Sequence, residues 1–255
     1  MFPNAEAVGH VATFEDVFRA VANGKADTGV VPVENSSIGT INEVCDLLVK
    51  YDLYISHSHI NSIHHCLAGC QNATMETVRQ AYSIDPALDQ CQQYLKDHAL
   101  ERCKAANTAV AAQQVRDWND PTRAAVCSED AAKLYGLKIL ASAINDDKTN
   151  QTRFIAISRN LSSQPEDNRV SIIFTLPHQQ GTLSSALSMF SDHNINLTEI
   201  HSRPLPETPW RYLFHVDLEG SLACENVRSL VYQLSEELES FRLLGSYRIT
   251  QTPEE

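Results

Sequence analysis

The sequence has 255 residues, 43 % of them hydrophobic, and its 32 acidic and 20 basic side chains give a net charge of −12. That length suits one large or two modest domains, and the acidic balance argues against nucleic acid or an anionic membrane as a partner. The apolar runs are too short for a membrane helix and the N-terminus lacks a signal-peptide pattern, so we expect a cytoplasmic protein. The seven scattered cysteines predict no disulfide framework.

The first quarter of the chain alternates helices and strands. Thr13 is a suitable N-cap for a helix that ends at Asn23-Gly24. A short apolar strand follows over residues 28–33, then a helix over 41–50 and an alternating strand over 53–63.

The next segment repeats this theme. A strand ends at Ser83, and the further predicted elements are a helix at 87–96, a helix at 108–117, a strand at 124–127 and a helix at 129–135. Strands that alternate with helices predict an α/β domain with largely parallel pairing.

Residues 160–168 have the composition of a linker, and the order after them is different. The predicted elements are strand 170–176, helix 181–193, strand 197–203, strand 210–218, helix 225–238 and strand 241–249. This βαββαβ order is that of the ferredoxin-like split unit and predicts a second domain.

Polar side chains stand at the ends of three predicted strands. They are Glu34-Asn35-Ser36, Ser83 with Gln90 in the helix after it, and Thr152-Arg153 ahead of the apolar Phe154. Each alone fits an ordinary turn or cap, but ligands of open α/β sheets bind at strand ends. We therefore expect the three groups to line one cleft.

Two further motifs admit a structural and a functional interpretation. Neighbouring residues of His64-His65-Cys66 point to opposite faces of a strand, so we expect a buried structural histidine and no metal site. Gly181-Thr182-Leu183 opens a helix whose first N–H groups could bind a carboxylate, although the glycine could equally serve only the turn.

Taken together, these motifs resemble prephenate dehydratase followed by an ACT regulatory domain, over nearly the whole chain. The resemblance rests on Tyr135-Gly-Leu-Lys-Ile-Leu140 with Thr152-Arg153-Phe154, on Val31-Pro-Val-Glu-Asn-Ser36, and on Ile63-His-His-Cys-Leu67. In the second domain it rests on Asn196-Leu197-Thr198 and Ser202-Arg203-Pro204.

The resemblance implies a reaction and its residues. Prephenate would lose CO2 and its ring hydroxyl together to give phenylpyruvate, on the way to L-phenylalanine, without cofactor or metal. Thr152 would assist the departing hydroxyl by hydrogen-bond donation. The implied substrate-binding residues are Glu34, Asn35, Ser36, Ser83, Gln90, Arg153 and Phe154.

The resemblance also implies an architecture. A periplasmic-binding-protein-like catalytic domain would span residues 1–158, with lobes 1–64 plus 141–158 and 65–140, followed by a linker at 159–168 and an ACT domain at 169–255. Phenylalanine would bind the ACT domain of a homo-oligomer, a dimer or tetramer. The implied effector-binding residues are Gly181, Thr182, Leu183, Asn196, Leu197, His201, Ser202, Arg203 and Pro204.

The chain departs from the family pattern in three places. It begins inside the segment before the family's second strand, so we expect weak or no activity from these residues alone. Ser83-Ile84-Asp85-Pro86 replaces Ser-His-Pro-Gln. His201 stands where the ACT motif carries Glu, and Glu199 where it carries a basic residue, so we expect altered effector binding.

Two alternatives stay open at this point. Arogenate differs from prephenate by an amino group in place of the keto group, and no residue here distinguishes the two securely. The two-lobed fold and the ACT domain would also suit a non-catalytic amino-acid-binding protein.

Overall fold

The computed structural model describes residues 2, 5–205 and 211–251. The chain divides into two compact units, residues 1–61 with 152–255 and residues 62–151. The predicted mixed α/β class is confirmed. None of the helices in the described ranges has the length and apolar character that a bilayer crossing requires.

In chain order the elements are α1 (Phe14–Ala22), β1 (Thr28–Asn35), β2 (Gly39–Thr40), α2 (Asn42–Lys50), β3 (Tyr54–Ser62), β4 (Cys66–Gly69), β5 (Gln80–Ser83), α3 (Asp85–Asp89), α4 (Gln92–Asp97), β6 (Glu101–Lys104), α5 (Thr108–Trp118), β7 (Arg123–Cys127), α6 (Glu129–Leu134), β8 (Lys138–Ala141), β9 (Gln151–Ser158), β10 (Arg169–Pro177), α7 (Thr182–Asp192), β11 (Leu197–Pro204), β12 (Arg211–Glu219), α8 (Glu225–Glu237), β13 (Ser240–Tyr247) and β14 (Ile249–Gln251).

The first unit contains a sheet of order β14-β3-β9-β1-β2. Thr13 caps α1 as predicted, since its Oγ1 accepts the Asp16 N–H at 3.1 Å. Strands β1 and β9 run antiparallel, and a register shift between Pro32 and Glu34 precedes the last pairs of the ladder. This pairing joins the strand that ends in Asn35 to the strand that begins beside Thr152.

The second sheet of this unit has the order β11-β12-β10-β13 with antiparallel neighbours. With α7 and α8 it has the predicted βαββαβ order. Trp210, the predicted start of one strand, lies outside the described residues. The last predicted strand, 241–249, is too long at its C-terminal end, because β13 ends at Tyr247. Ile249 belongs to β14, which pairs parallel to β3 in the other sheet.

The two sheets of the first unit share one core. Tyr247 of β13 is fully buried and packs in the same cluster as Phe18 of α1, Leu48 of α2 and Ile55 of β3. A Cβ atom on Gly245 would lie 2.1 Å from the Ile55 carbonyl oxygen, so this contact requires glycine. The division into residues 1–158, 159–168 and 169–255 stays a prediction.

The second unit contains a sheet of order β6-β5-β7-β4-β8. Strand β5 is parallel to β6 and β7, whereas β4 is antiparallel to β7 and β8. The predicted parallel pairing is confirmed for β5 with β6 and β7, whereas the pairs of β4 depart from it. The antiparallel strands β4 and β8 lie near the two ends of this unit's segment and do not belong to helix-linked crossovers between parallel strands.

The helix predicted over residues 87–96 is two short helices, α3 and α4. Cys91 separates them with non-helical dihedral angles, φ −120° and ψ 20°. The Asp146 carboxylate then accepts the backbone N–H of Gln93 at 2.9 Å and satisfies a free donor at the start of α4. Gln90 consequently ends α3 instead of lying inside a longer helix.

Candidate active site

Asn35 and Thr152 are directly opposite each other on β1 and β9. The Asn35 Nδ2 donates to Thr152 Oγ1 at 2.9 Å, and both residues are more than 90 % buried. Asn35 Oδ1 accepts the N–H groups of Ser37 and Ile38 at 3.0 and 3.1 Å, which fixes which end of the amide faces Thr152. Because Thr152 Oγ1 accepts from Asn35, its own proton points elsewhere.

Arg153 carries the guanidinium next to Thr152, and three carboxylates of the protein surround it. Its Nε lies 3.2 Å from Glu34, and its terminal nitrogens lie 2.5 Å from Glu199 and from Asp217. Only 12 % of the Arg153 side chain is exposed. The guanidinium predicted to bind substrate therefore forms ion pairs with carboxylates on three other strands of its own unit.

Two other residues predicted near Thr152 differ in their surroundings. Phe154 lies in β9 opposite Pro32, is half-buried, and accepts the Ser58 hydroxyl through its carbonyl oxygen at 3.1 Å. Ser36 is exposed in the turn between β1 and β2. Phe154 thus anchors the strand, and Ser36 lies at the exposed turn.

Asp217 ties the Arg153 cluster to the core of the βαββαβ sheet. Its second oxygen accepts the Ser171 hydroxyl at 2.5 Å, and Ser171 lies 2.7 Å from the Tyr247 hydroxyl. The cavity beside these groups measures about 30 Å³. That volume has room for about one water molecule and excludes an organic substrate.

Two titratable side chains that line this cavity have strongly shifted pKa values. Burial raises the pKa of Glu199 to about 7, and although the Arg153 charge lowers it, the nearby Asp217 and Glu34 carboxylates raise it further. Burial lowers the pKa of His215 to about 4, and His201 adds to that effect. The cluster is therefore less negative near neutral pH than three ionised carboxylates would make it.

The other predicted substrate residues, Ser83 and Gln90, lie in the second unit. Ser83 is fully buried and its hydroxyl donates to the Val126 carbonyl at 2.7 Å, which explains a role in holding β5 to β7. Gln90 is half-buried, and its Oε1 lies 3.0 Å from His65 Nε2.

Sequence reasoning missed the support behind Gln90. The backbone N–H of His65 donates to Asn145 Oδ1 at 2.6 Å, and the Ile144 N–H donates to the His65 carbonyl at 2.9 Å. His65 is 94 % buried, as predicted for this histidine. The His-His-Cys motif marked the position, but no pattern in the sequence indicated its contact with Gln90.

The predicted effector residues fall in two segments. Gly181 has a φ of +88°, which L side chains rarely adopt, and begins α7 together with Thr182 and the partly exposed Leu183. Asn196 precedes β11, which contains Leu197, His201, Ser202, Arg203 and Pro204.

Two of the β11 residues contact α2. His201 Nε2 lies 3.3 Å from Asn42 Oδ1, and the Arg203 guanidinium lies 2.9 Å from the Asp46 carboxylate. The predicted effector strand is therefore attached to the helix that follows the Asn35 turn.

The fold and the Asn35–Thr152 pair define a mixed α/β protein whose polar site lies at paired strand ends. The family model described as prephenate dehydratase matches residues 1–162. The chain is 39 % identical over 263 residues to "Arogenate dehydratase/prephenate dehydratase 2, chloroplastic" of Arabidopsis thaliana, covering 98 % of this chain and 68 % of that protein.

Two solved structures have similar folds. Prephenate dehydratase of Arthrobacter aurescens in complex with L-Phe has 26 % identity and a TM-score of 0.84, covering 93 % of this chain and 80 % of that one. GqqA, described as a novel type of quorum quenching acylase, has 28 % identity and the same TM-score, covering 94 % and 88 %. This chain belongs to the prephenate dehydratase family, which confirms the predicted lyase class.

Proposed function

We propose that the protein is a prephenate dehydratase that converts prephenate to phenylpyruvate, a step toward L-phenylalanine. The observation that carries this proposal is the buried hydrogen bond from Asn35 Nδ2 to Thr152 Oγ1. It holds a hydroxyl group in one place and leaves that hydroxyl's proton free for an acceptor outside the pair.

The chemistry needs such a donor. One of the two carboxylates is attached to the ring, and its C–C bond to the ring breaks. The electron pair of that bond completes the aromatic ring, and the C–O bond to the ring hydroxyl breaks. The departing oxygen takes up a proton from the solvent and leaves as water, while the carboxylate leaves as CO2. Thr152 stabilises the charge that develops on the departing oxygen by hydrogen-bond donation.

The surroundings of Arg153 change its assigned role. Because its guanidinium is bound by three carboxylates of the protein, we assign it to holding β9 in place. Binding of the substrate carboxylates is then left to other donors, and Gln90 stays a predicted contact of the substrate. Glu34 then serves the Arg153 cluster instead of the substrate.

Arogenate is the alternative substrate, and the name of the Arabidopsis relative, an arogenate dehydratase/prephenate dehydratase, favours testing it. It would lose the same two groups and give phenylalanine directly. The Thr152 chemistry is identical for both substrates, so the difference must lie in residues that contact the keto or amino group.

A single assay decides between these proposals. Prephenate and arogenate are supplied separately, and phenylpyruvate and phenylalanine are measured with the unmodified protein, Thr152→Ala, Thr152→Ser and Thr149→Ala. We expect Thr152→Ala to lower kcat by about 10²–10³, Thr152→Ser to retain part of it, and the exposed Thr149→Ala to change little. Equal turnover by Thr152→Ala would refute the mechanism, and binding of either compound without turnover would indicate a binding protein.

We also propose feedback by phenylalanine through an ACT domain at residues 169–255. The βαββαβ order and the likeness to an L-Phe complex support this assignment. The proposed ligand contacts are the start of α7 and strand β11, in a homodimer or a larger homo-oligomer. Calorimetric titration with phenylalanine, and light scattering with and without it, test both parts; no heat of binding and a monomer in both conditions would refute them.

A further inference from the structure

Glu199 makes two contacts outside its own sheet. Its carboxylate lies 2.5 Å from an Arg153 terminal nitrogen and lines the same small cavity as Thr40, whose side chain lowers the pKa of the carboxylate. Its side chain is 25 % exposed. The carboxylate thus adjoins two separate segments of the first unit at once.

Both segments flank the Asn35–Thr152 pair. Arg153 follows Thr152 in β9. Thr40 lies in β2 next to Gly39, and Gly39 is opposite Asn35 in the pairing of β1 with β2. Movement of Glu199 therefore acts on both sides of the hydrogen bond that presents the Thr152 hydroxyl.

We propose that Glu199 is a positioning residue for Thr152 and Asn35, and that it makes their placement depend on the position of strand β11. This inference rests on the proposed dehydratase function and extends it to the way in which the βαββαβ sheet regulates turnover. Glu199 touches no substrate in this proposal and acts through Arg153 and Thr40.

Strand β11 is suited to this role because it is the edge of its sheet and pairs only with β12 within the described residues. Asp217, by contrast, is on the inner strand β12 and is held by Ser171 as well as Arg153. Of the two carboxylates that the βαββαβ sheet offers to Arg153, Glu199 is thus the one on the edge strand.

Other contacts of β11 point in the same direction. His201 and Arg203 reach Asn42 and Asp46 of α2, the helix that begins two residues after Thr40. A ligand that shifted β11 would therefore pull on the β1–β2 turn and on β9 together. The cavity of about 30 Å³ beside Glu199 is too small to be the ligand's own site.

The test compares Glu199→Gln with Glu219→Gln, which removes an exposed carboxylate at the end of β12. We expect Glu199→Gln to lower kcat for prephenate several-fold while KM stays within about twofold, and to raise the phenylalanine concentration for half inhibition by about fivefold or more. Thr40→Val should shift both quantities in the same direction by less. The control should match the unmodified protein.

Two results separate the possible failures. If the unmodified protein forms no product, the proposed function fails, and the inference is judged by hydrogen exchange of residues 34–40 and 151–158. Faster exchange of both segments in Glu199→Gln than in Glu219→Gln supports the inference. Identical kinetics and identical exchange in these two variants overturn the inference. So does a lower Tm of Glu199→Gln with an unaltered phenylalanine response, which is the result expected of a merely structural role.

Discussion

The imidazole Nε2 of His65 lies 3.0 Å from the side-chain carbonyl oxygen of Gln90. A carbonyl oxygen can only accept, so Nε2 must carry the proton and Nδ1 must be unprotonated in the neutral ring. Burial lowers the pKa of His65, which keeps it neutral at pH 7. The bond fixes the Gln90 carbonyl against the protein and leaves its amide nitrogen for a ligand.

This geometry predicts a difference between two conservative variants. His65→Gln keeps a donor near the Nε2 position, whereas His65→Asn keeps one only near Nδ1. We expect His65→Asn to raise KM about tenfold, corresponding to about 1.4 kcal/mol of lost hydrogen bonding, and His65→Gln to raise it much less. Steady-state kinetics of both variants in the presence and absence of Gln90→Ala provide the check, and additive effects of His65→Asn and Gln90→Ala would contradict the link.

Asn35→Asp reverses the direction of the hydrogen bond to Thr152. The new carboxylate still accepts the Ser37 and Ile38 N–H groups but can no longer donate to Thr152 Oγ1. The Thr152 proton should then turn toward the carboxylate and away from the departing oxygen. We expect kcat to fall by about 10²–10³ with little change in Tm, and an unchanged kcat would show that the Thr152 proton is not used.

Glu199 also gives stability a defined pH dependence. Its pKa is about 7 in the folded protein against an ordinary value of 4.5, so the folded state binds more protons between these values and its contribution falls as pH rises through them. His215, with a pKa of about 4 against 6.5, acts in the opposite direction between those values.

Replacing Glu199 by Gln therefore removes the contribution to the free energy of unfolding that falls as pH rises, and leaves the contribution of His215 in place. The free energy of unfolding of Glu199→Gln, relative to the unmodified protein, should rise between about pH 4.5 and 7 by an amount on the order of 2 kcal/mol and level off above. Urea unfolding across this range measures it, with Glu219→Gln as the reference. A difference that is constant with pH would contradict the raised pKa of Glu199.

Arg242 of β13 closes the C-terminus of α2. Its guanidinium donates to the carbonyl oxygens of Leu48, Tyr51 and Leu53 at 2.9–3.0 Å. Arg242→Met should lower the free energy of unfolding by about 2 kcal/mol, because buried carbonyls lose charged donors. Arg211→Met, which breaks the half-exposed pair with Glu239, should cost under about 1 kcal/mol. Equal costs in denaturant unfolding would argue against the capping role.

Much of the fold follows from local sequence patterns. The Thr13 cap, the helices around residues 41–50 and 108–117, and the βαββαβ order are all set by local signals, and the structure confirms them. The direction of strand pairing is set by which segments meet across the chain, so the antiparallel β4 and β9 were not predictable from spacing. The start of α4 after Cys91 is capped by Asp146, more than fifty residues away.

The candidate site divides in the same way. The motif that contains Thr152 and the turn that contains Asn35 were found because strand ends collect polar residues, and the structure pairs these two side chains. The partners of Arg153 were not predictable, since Asp217 lies inside a strand with no local signal. In the sequence, an arginine next to the Thr152 hydroxyl suggests substrate binding. The structure instead shows that carboxylates of the protein bind the Arg153 guanidinium.

Strand β14 has a consequence for the proposed regulation. The sheet β10–β13 is joined to the β1–β3–β9 sheet at one end by residues 159–168 and at the other by the parallel pairing of Ile249–Gln251 with β3. A body fastened at both ends cannot turn freely on a single hinge. Signals from the βαββαβ sheet should therefore travel as small strains within the shared core, of the size that one carboxylate on an edge strand can transmit.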